Sequence, residues 1–239
     1  MGVQYKKYNL SAIQTLHKKY NSLKINILFL KIRILNFSET TGEKMGEAAA
    51  KLYYTAEEYL MFEELAGDKS EFYNGEIFAM SGTSGNHSII CFNLNRHIGE
   101  AIDNRNCTGF DSNMKLNIAQ ANSFVYPDLM VVCGDIDFFK NRTDIITNPI
   151  LIIEVLSPST QAFDRSKKFE YYRSVTSMRE YVLVSQEEPM IEIFFRQNEK
   201  IWLYSAVKGL EARVVLQTIE HELALKDIYR KVDWNQPAL

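Results

Sequence analysis

The run Pro149-Ile150-Leu151-Ile152-Ile153-Glu154-Val155-Leu156 constrains this chain more than any other stretch. It reads as a strand with an acid set inside it. Burying an unpaired carboxylate costs on the order of several kcal/mol or forces it to take a proton. Chains place an acid there when something compensates, and two compensators fit: an arginine at the strand end, or a divalent metal. A second acid, Asp128, closes another apolar approach, Phe124-Val125-Tyr126-Pro127-Asp128. Two acids at the tips of neighbouring strands are what a hard cation needs.

The 239 residues allow one large domain, or one medium domain with additions. At 46% hydrophobic and 24% charged, the chain has material for a full core. It has no run of about 18 uncharged apolar residues, so no membrane span is expected. Cys91, Cys107 and Cys133 have no Cys-x-x-Cys spacing. That spacing excludes a zinc ribbon, argues against a disulfide framework and suits a reducing, cytoplasmic location.

Charge divides the chain. Residues 1–44 carry eight Lys/Arg against two acids, a net of +6, and leave −9 on the remainder. An acidic body attracts nucleic acid weakly as a whole, so any basic groove must be local. Met45-Gly46 opens a fresh segment, and residues 1–44 read as an upstream basic extension, disordered or not native, with a DNA-contacting arm as the alternative. Residues 45–239 read as a single domain.

From Thr55 the local signals become regular. Thr55-Ala56-Glu57-Glu58 is a capping box for a short helix that ends before Gly67. Asn74-Gly75 between two apolar runs is a two-residue hairpin signal. Residues 86–103 carry apolar side chains near a 3.6 period. Strands are expected at about 107–111, 113–118, 124–133 and 149–156. A helix capped by Asp164 follows through about Ser174, then strands at 180–184, 190–196 and 200–206. This order predicts an α/β (α+β) fold with a mixed central sheet.

Several stretches then combine into a resemblance. Glu71-Phe72-Tyr73-Asn74-Gly75-Glu76-Ile77, His87, Pro127-Asp128-Leu129 and Glu154-Val155-Leu156-Ser157-Pro158-Ser159-Thr160 come first. Asp164-Arg165-Ser166-Lys167-Lys168-Phe169 and Arg179-Glu180-Tyr181-Val182-Leu183-Val184 follow. Their order and spacing, from about 53 to 234, resemble the PD-(D/E)XK nuclease superfamily, and within it a bacterial restriction-endonuclease-like family. The resemblance implies a mixed sheet flanked by helices with additional antiparallel strands, and metal-dependent cleavage of DNA by a homodimer. It also implies Mg²⁺, replaceable by Mn²⁺, on Asp128, Glu154 and the carbonyl of Val155. Glu71 would stand beside the metal.

One departure matters. The lysine usually found two residues after the second acid is here Leu156. The resembling family places it on the following helix, where the candidate is Lys168. Helical spacing supports Lys168 over Lys167: it neighbours Phe169 and Tyr172 on the packed side, whereas Lys167 aligns with Glu170 and Ser174. His87, opening the long helix, is a possible substrate contact or a plain hydrogen-bonder. Ser157 lacks a Gly-x-Ser-x-Gly elbow, which removes a serine-hydrolase reading. Three alternatives remain open: a catalytically inactive nucleic-acid-binding or assembly module, an RNA phosphodiesterase, and a glycosidase using the two acids, which nothing else supports.

Overall fold

The computed structural model describes residues 53–80, 82–158 and 160–235. The basic extension at 1–44 and the start at Met45 lie outside them. The chain divides into two compact units, Met1–Met80 and Ser81–Leu239.

In the first unit, helix α1 (Ala56–Leu65) begins where the capping box places it. The Thr55 hydroxyl accepts the Glu58 N–H at 3.2 Å, and the Glu58 carboxylate accepts the Thr55 N–H at 2.9 Å. Strands β1 (Ser70–Tyr73) and β2 (Glu76–Ala79) form an antiparallel pair with Tyr73 opposite Glu76. Asn74 (φ 45°) and Gly75 (φ 101°) supply the two left-handed residues that this turn requires. Glycine is needed at 75 for space as well, since a Cβ there would lie 2.7 Å from the Tyr53 ring. Buried Phe72 stacks on Tyr59 at 5.1 Å.

The second unit is built on helix α2 (Gly85–Ile102), whose first turn is capped by the Ser84 hydroxyl accepting the His87 N–H at 3.1 Å. Ile90, Leu94, Ile98 and Ile102 recur every four residues, so they share one face. That face packs on Leu129, Val131, Leu151, Ile153, Val155, Val182 and Val184. Each such side chain contributes about 1.5–3 kcal/mol by burial.

The sheet under α2 has six strands. They are β3 (Cys107–Asp111), β6 (Leu129–Cys133), β8 (Leu151–Leu156), β9 (Glu180–Ser185), β10 (Met190–Arg196) and β11 (Trp202–Lys208), in that spatial order. β8 and β9 run parallel and the other neighbours antiparallel, so the sheet is mixed, as expected. All six residues of β8 are buried, which a strand covered on both faces requires.

The other face is covered by a composite helix. An α-helical turn, α3 (Gln161–Phe163), opens into a π-helical segment, Asp164–Lys168, and closes as α4 (Phe169–Tyr172). Phe169 packs on Tyr181 at 5.7 Å and on Phe194 at 4.4 Å, and Tyr172 meets Tyr181 edge-on at 5.2 Å. A separate group places β4 (Lys115–Ile118) antiparallel to β5 (Ser123–Val125) and parallel to β7 (Ile145–Ile146).

Several sequence expectations are corrected. The single strand expected at 124–133 is two, β5 and β6, parted at Tyr126-Pro127-Asp128, because proline has no N–H for a ladder. Three strands start later than expected, at Lys115, Leu151 and Trp202. Asp164 does not cap the helix; it lies inside the π segment and is buried. Cys107 and Cys133, direct partners across β3 and β6, form a disulfide. Strand register, which spacing along the chain does not reveal, brings these two thiols together. Beyond Lys208 the chain adds β12 (Arg213–Leu216), β13 (His221–Ala224) and α5 (Leu225–Ile228), elements absent from the sequence reading. The Asn93 amide ties this tail to α2 by donating to the Ile228 carbonyl at 2.8 Å.

Candidate active site

β6 and β8 pair with Leu129 opposite Ile153. One step further in this register, Asp128 stands beside Glu154. The backbone N–H of Val155 donates to Asp128 Oδ2 at 2.8 Å, fixing the carboxylate at the end of the strand pair. Tyr126-Pro127-Asp128 link β5 to β6, and Asp128 stands immediately before Leu129, the first residue of β6.

Glu154 is 4% exposed and has two partners on the composite helix. The Lys168 ammonium lies 2.8 Å from its Oε1, and the Tyr172 hydroxyl donates to the same oxygen at 2.6 Å. Asp164 Oδ1 is 3.6 Å from the Lys168 ammonium, one turn back. The arginine partner weighed for Glu154 is therefore a lysine. Burial pushes the Glu154 carboxyl up from 4.5 to about 8; Lys168 pulls it down, and the carboxylates of Asp128 and Asp164 push it up further.

The π segment explains why Lys168 reaches inward. A π turn adds one residue to a helix and rotates everything after it relative to an α-helix. Lys168 is buried, whereas Lys167 points outward and pairs with Glu170 at 3.1 Å. Arg165 anchors the same segment from the side. Its guanidinium donates to Glu192 Oε2 on β10 at 2.8 Å and to Gln161 Oε1 at 2.8 Å.

His87 approaches from the first turn of α2, with Nε2 3.3 Å from Asp128 Oδ2. Its Nδ1 lies 3.5 Å from Cys91 Sγ. Asp128, Glu154, Val155, Lys168 and His87 thus gather at one end of the β6–β8 pair. Glu71 belongs to the first unit, half-buried on β1, where its Oε2 accepts the Tyr73 hydroxyl at 2.8 Å. Sequence reasoning missed two members of this constellation, Tyr172 as a Glu154 partner and Asp164 as a Lys168 partner, and it missed Cys91, which lies outside the acid–lysine set on the far side of His87. Only Tyr172 left a signal, as the residue one turn after Lys168.

The donor set fits a hard divalent cation. Two carboxylates and a strand-end carbonyl are all oxygen, the ligand type Mg²⁺ and Mn²⁺ take. In an extended strand a residue's N–H and C=O project to the same flank. Since the Val155 N–H addresses Asp128, its carbonyl opens on the Asp128 side.

Comparison with known proteins agrees with this architecture. Residues 56–226 match the family model Uma2, described as "Putative restriction endonuclease". The uncharacterized Synechocystis proteins sll1609 and slr1290 are 40% and 35% identical. The first alignment covers 67% of this chain and the second 73%, each with 90% of the relative. A crystal structure described as a putative nuclease belonging to DUF820, from Anabaena variabilis ATCC 29413, superposes with a TM-score of 0.60 at 19% identity. That match covers 74% of this chain and 97% of the other, and it shares the fold. The chain belongs to the Uma2 family, on the restriction-endonuclease-like PD-(D/E)XK fold.

Proposed function

We propose that this protein is a metal-dependent endonuclease that hydrolyses DNA phosphodiester bonds at the end of the β6–β8 pair. The observation that carries the reading is the buried Glu154–Lys168 pair set beside an Asp128 already anchored to the Val155 N–H. Asp128, Glu154 and the Val155 carbonyl would hold Mg²⁺, with Mn²⁺ able to replace it. The bound ion would polarise the scissile phosphate and lower the pKa of a bound water. Lys168 orients the attacking water and offsets charge on the phosphate, while Tyr172 and Asp164 hold the lysine and Glu154 in register. Attack by water on phosphorus breaks the P–O3′ bond and leaves a 5′-phosphate and a free 3′-hydroxyl. Glu71 is assigned a supporting role beside the metal, and His87 a contact to the substrate phosphate.

The proposal treats residues 45–239 as one catalytic domain and the working unit as a homodimer in which each site takes one strand. β11, last in the strand order and bearing exposed Leu203 and Tyr204, supports an interface there. A cytoplasmic location is part of the reading. Among the described residues no helix is long and apolar enough to cross a membrane.

The test is incubation of the purified protein with supercoiled plasmid in Mg²⁺, Mn²⁺ or EDTA, beside Glu154→Ala. Nicking or linearisation that needs both metal and Glu154 is expected. Cleavage by the variant at the wild-type rate would remove Glu154 from the mechanism. No cleavage of plasmid together with cleavage of RNA would move the substrate class.

A further inference from the structure

Beside the oxygen-rich end of β8 lies a second donor set of different character. His87 and Cys91 are four residues apart on α2, so they share one face of its first two turns. Asp128 faces them from the residue just before β6. The three residues each offer a ligand atom, and these atoms lie within 4.8 Å of one another. We propose that His87, Cys91 and Asp128 form a binding site for a borderline-soft divalent cation of the zinc type, and that the cation blocks the active site by taking Asp128. The blocking half of this inference rests on the nuclease reading; the binding half does not.

Chemistry selects the cation. One imidazole, one carboxylate and one thiol, which burial and the nearby Asp128 and Glu154 hold protonated and which gives up its proton to solvent as the metal binds, make a mixed N, S, O set that suits Zn²⁺, Co²⁺ or Cd²⁺ and disfavours Mg²⁺. Metal–ligand bonds of about 2.0–2.3 Å place tetrahedral ligands roughly 3.3–3.8 Å apart. The His87–Asp128 and His87–Cys91 separations, 3.3 and 3.5 Å, fall in that range. They use the two different ring nitrogens, and a metal takes one of them, so closure requires small side-chain rotations of the order that the 4.8 Å spread allows. The fourth position is left to water. All three side chains are partly exposed, so an ion has a route in.

The site is separable from the acid pair. Cys91 plays no part in the proposed cleavage, and Glu154 plays none in this cluster. With Cys107 and Cys133 in a disulfide, Cys91 is the free thiol of the chain. A thiolate-to-metal signal is therefore assignable to one residue.

Asp128 Oδ2 is the shared atom. It accepts the Val155 N–H and faces His87 Nε2. A zinc-type ion drawing this carboxylate toward α2 removes it from the oxygen set. Zinc then inhibits in competition with Mg²⁺.

The test is titration of the full untagged chain with Co²⁺, followed by its thiolate-to-cobalt charge-transfer absorption. One equivalent is expected to produce the band. Cys91→Ser should abolish it, Asp128→Asn should weaken binding by about tenfold or more, and Glu154→Gln should leave it unchanged. As a second readout, Zn²⁺ should slow alkylation of Cys91 in the wild type and not in Asp128→Asn. In a cleavage assay at fixed Mg²⁺, Cys91→Ser should keep the wild-type rate and need about tenfold more Zn²⁺ for half-inhibition. No band, or a band indifferent to Asp128→Asn, would overturn the site even if the protein cleaves DNA. A band with no cleavage by any form would keep the site and count against the nuclease reading instead.

Discussion

Lys167 and Lys168 are neighbours in sequence, and each pairs with a glutamate about 3 Å away, yet the two pairs do different things. Lys167–Glu170, at 3.1 Å, joins side chains more than half exposed. Lys168–Glu154, at 2.8 Å, joins side chains 9% and 6% exposed, with Tyr172 donating to the same carboxylate oxygen. Water screens the first pair and solvates either ion if the other is lost. The second pair lies out of reach of water, so removing either member costs more than it does at the surface. A buried carboxyl pushed upward by burial, beside a lysine and another acid, marks a candidate functional site.

Four experiments sharpen or break this contrast. The largest effect is expected from Glu154→Ala and Asp128→Ala, each of which should cut plasmid cleavage by about 100-fold or more with the fold retained by circular dichroism. A variant cleaving at the wild-type rate would dissolve the contrast at its centre. Next, Lys168→Ala should cost about 3 kcal/mol in chemical denaturation, the low end for breaking a buried pair because Glu154 can take a proton. It should also slow cleavage by about 100-fold, while Lys167→Ala changes neither. Equal effects from the two lysines would show that burial does not distinguish them.

Tyr172→Phe comes third. It removes one hydrogen bond to a buried carboxyl and should cost about 1.5 kcal/mol, read as a shift in denaturation midpoint. The fourth experiment concerns pH. The Glu154 carboxyl sits at about 8 in the folded chain against an ordinary 4.5. The folded state therefore keeps a proton that the unfolded chain has released, so this group weakens the fold as pH rises across that interval. In metal-free buffer the melting temperature of the wild type should fall relative to Glu154→Gln between those pH values. Parallel melting curves across the range would contradict the shift.

Much of this contrast was legible in the sequence. The capping box at Thr55 and the Asn74-Gly75 turn are local chemistry, and local chemistry reads directly. Helical spacing was enough to rank Lys168 above Lys167 as the inward lysine. Asp164 was misread for an equally physical reason. Aspartate before a helical stretch looks like a cap, and nothing in composition announces that the helix has begun three residues earlier, at Gln161. The Cys107–Cys133 bond and the His87–Cys91–Asp128 cluster depend on strand register and on how α2 meets the sheet. Neither is a property of any short window. The tail after Lys208 escaped because its strands have four residues each and show no pattern long enough to stand out.

The π segment has an evolutionary consequence. A helix with one residue too many tolerates the loss of that residue as far as its backbone is concerned, since an unbroken α-helix results. Each residue turns an α-helix by about 100°, so deletion of one residue such as Ser166 would swing one end against the other by that angle. Lys168 would then leave Glu154, or Arg165 would leave Glu192. Under the proposed mechanism, a change of chain length at this point would be felt in cleavage as well as in stability, and a homologue lacking the extra residue would need its lysine at another position.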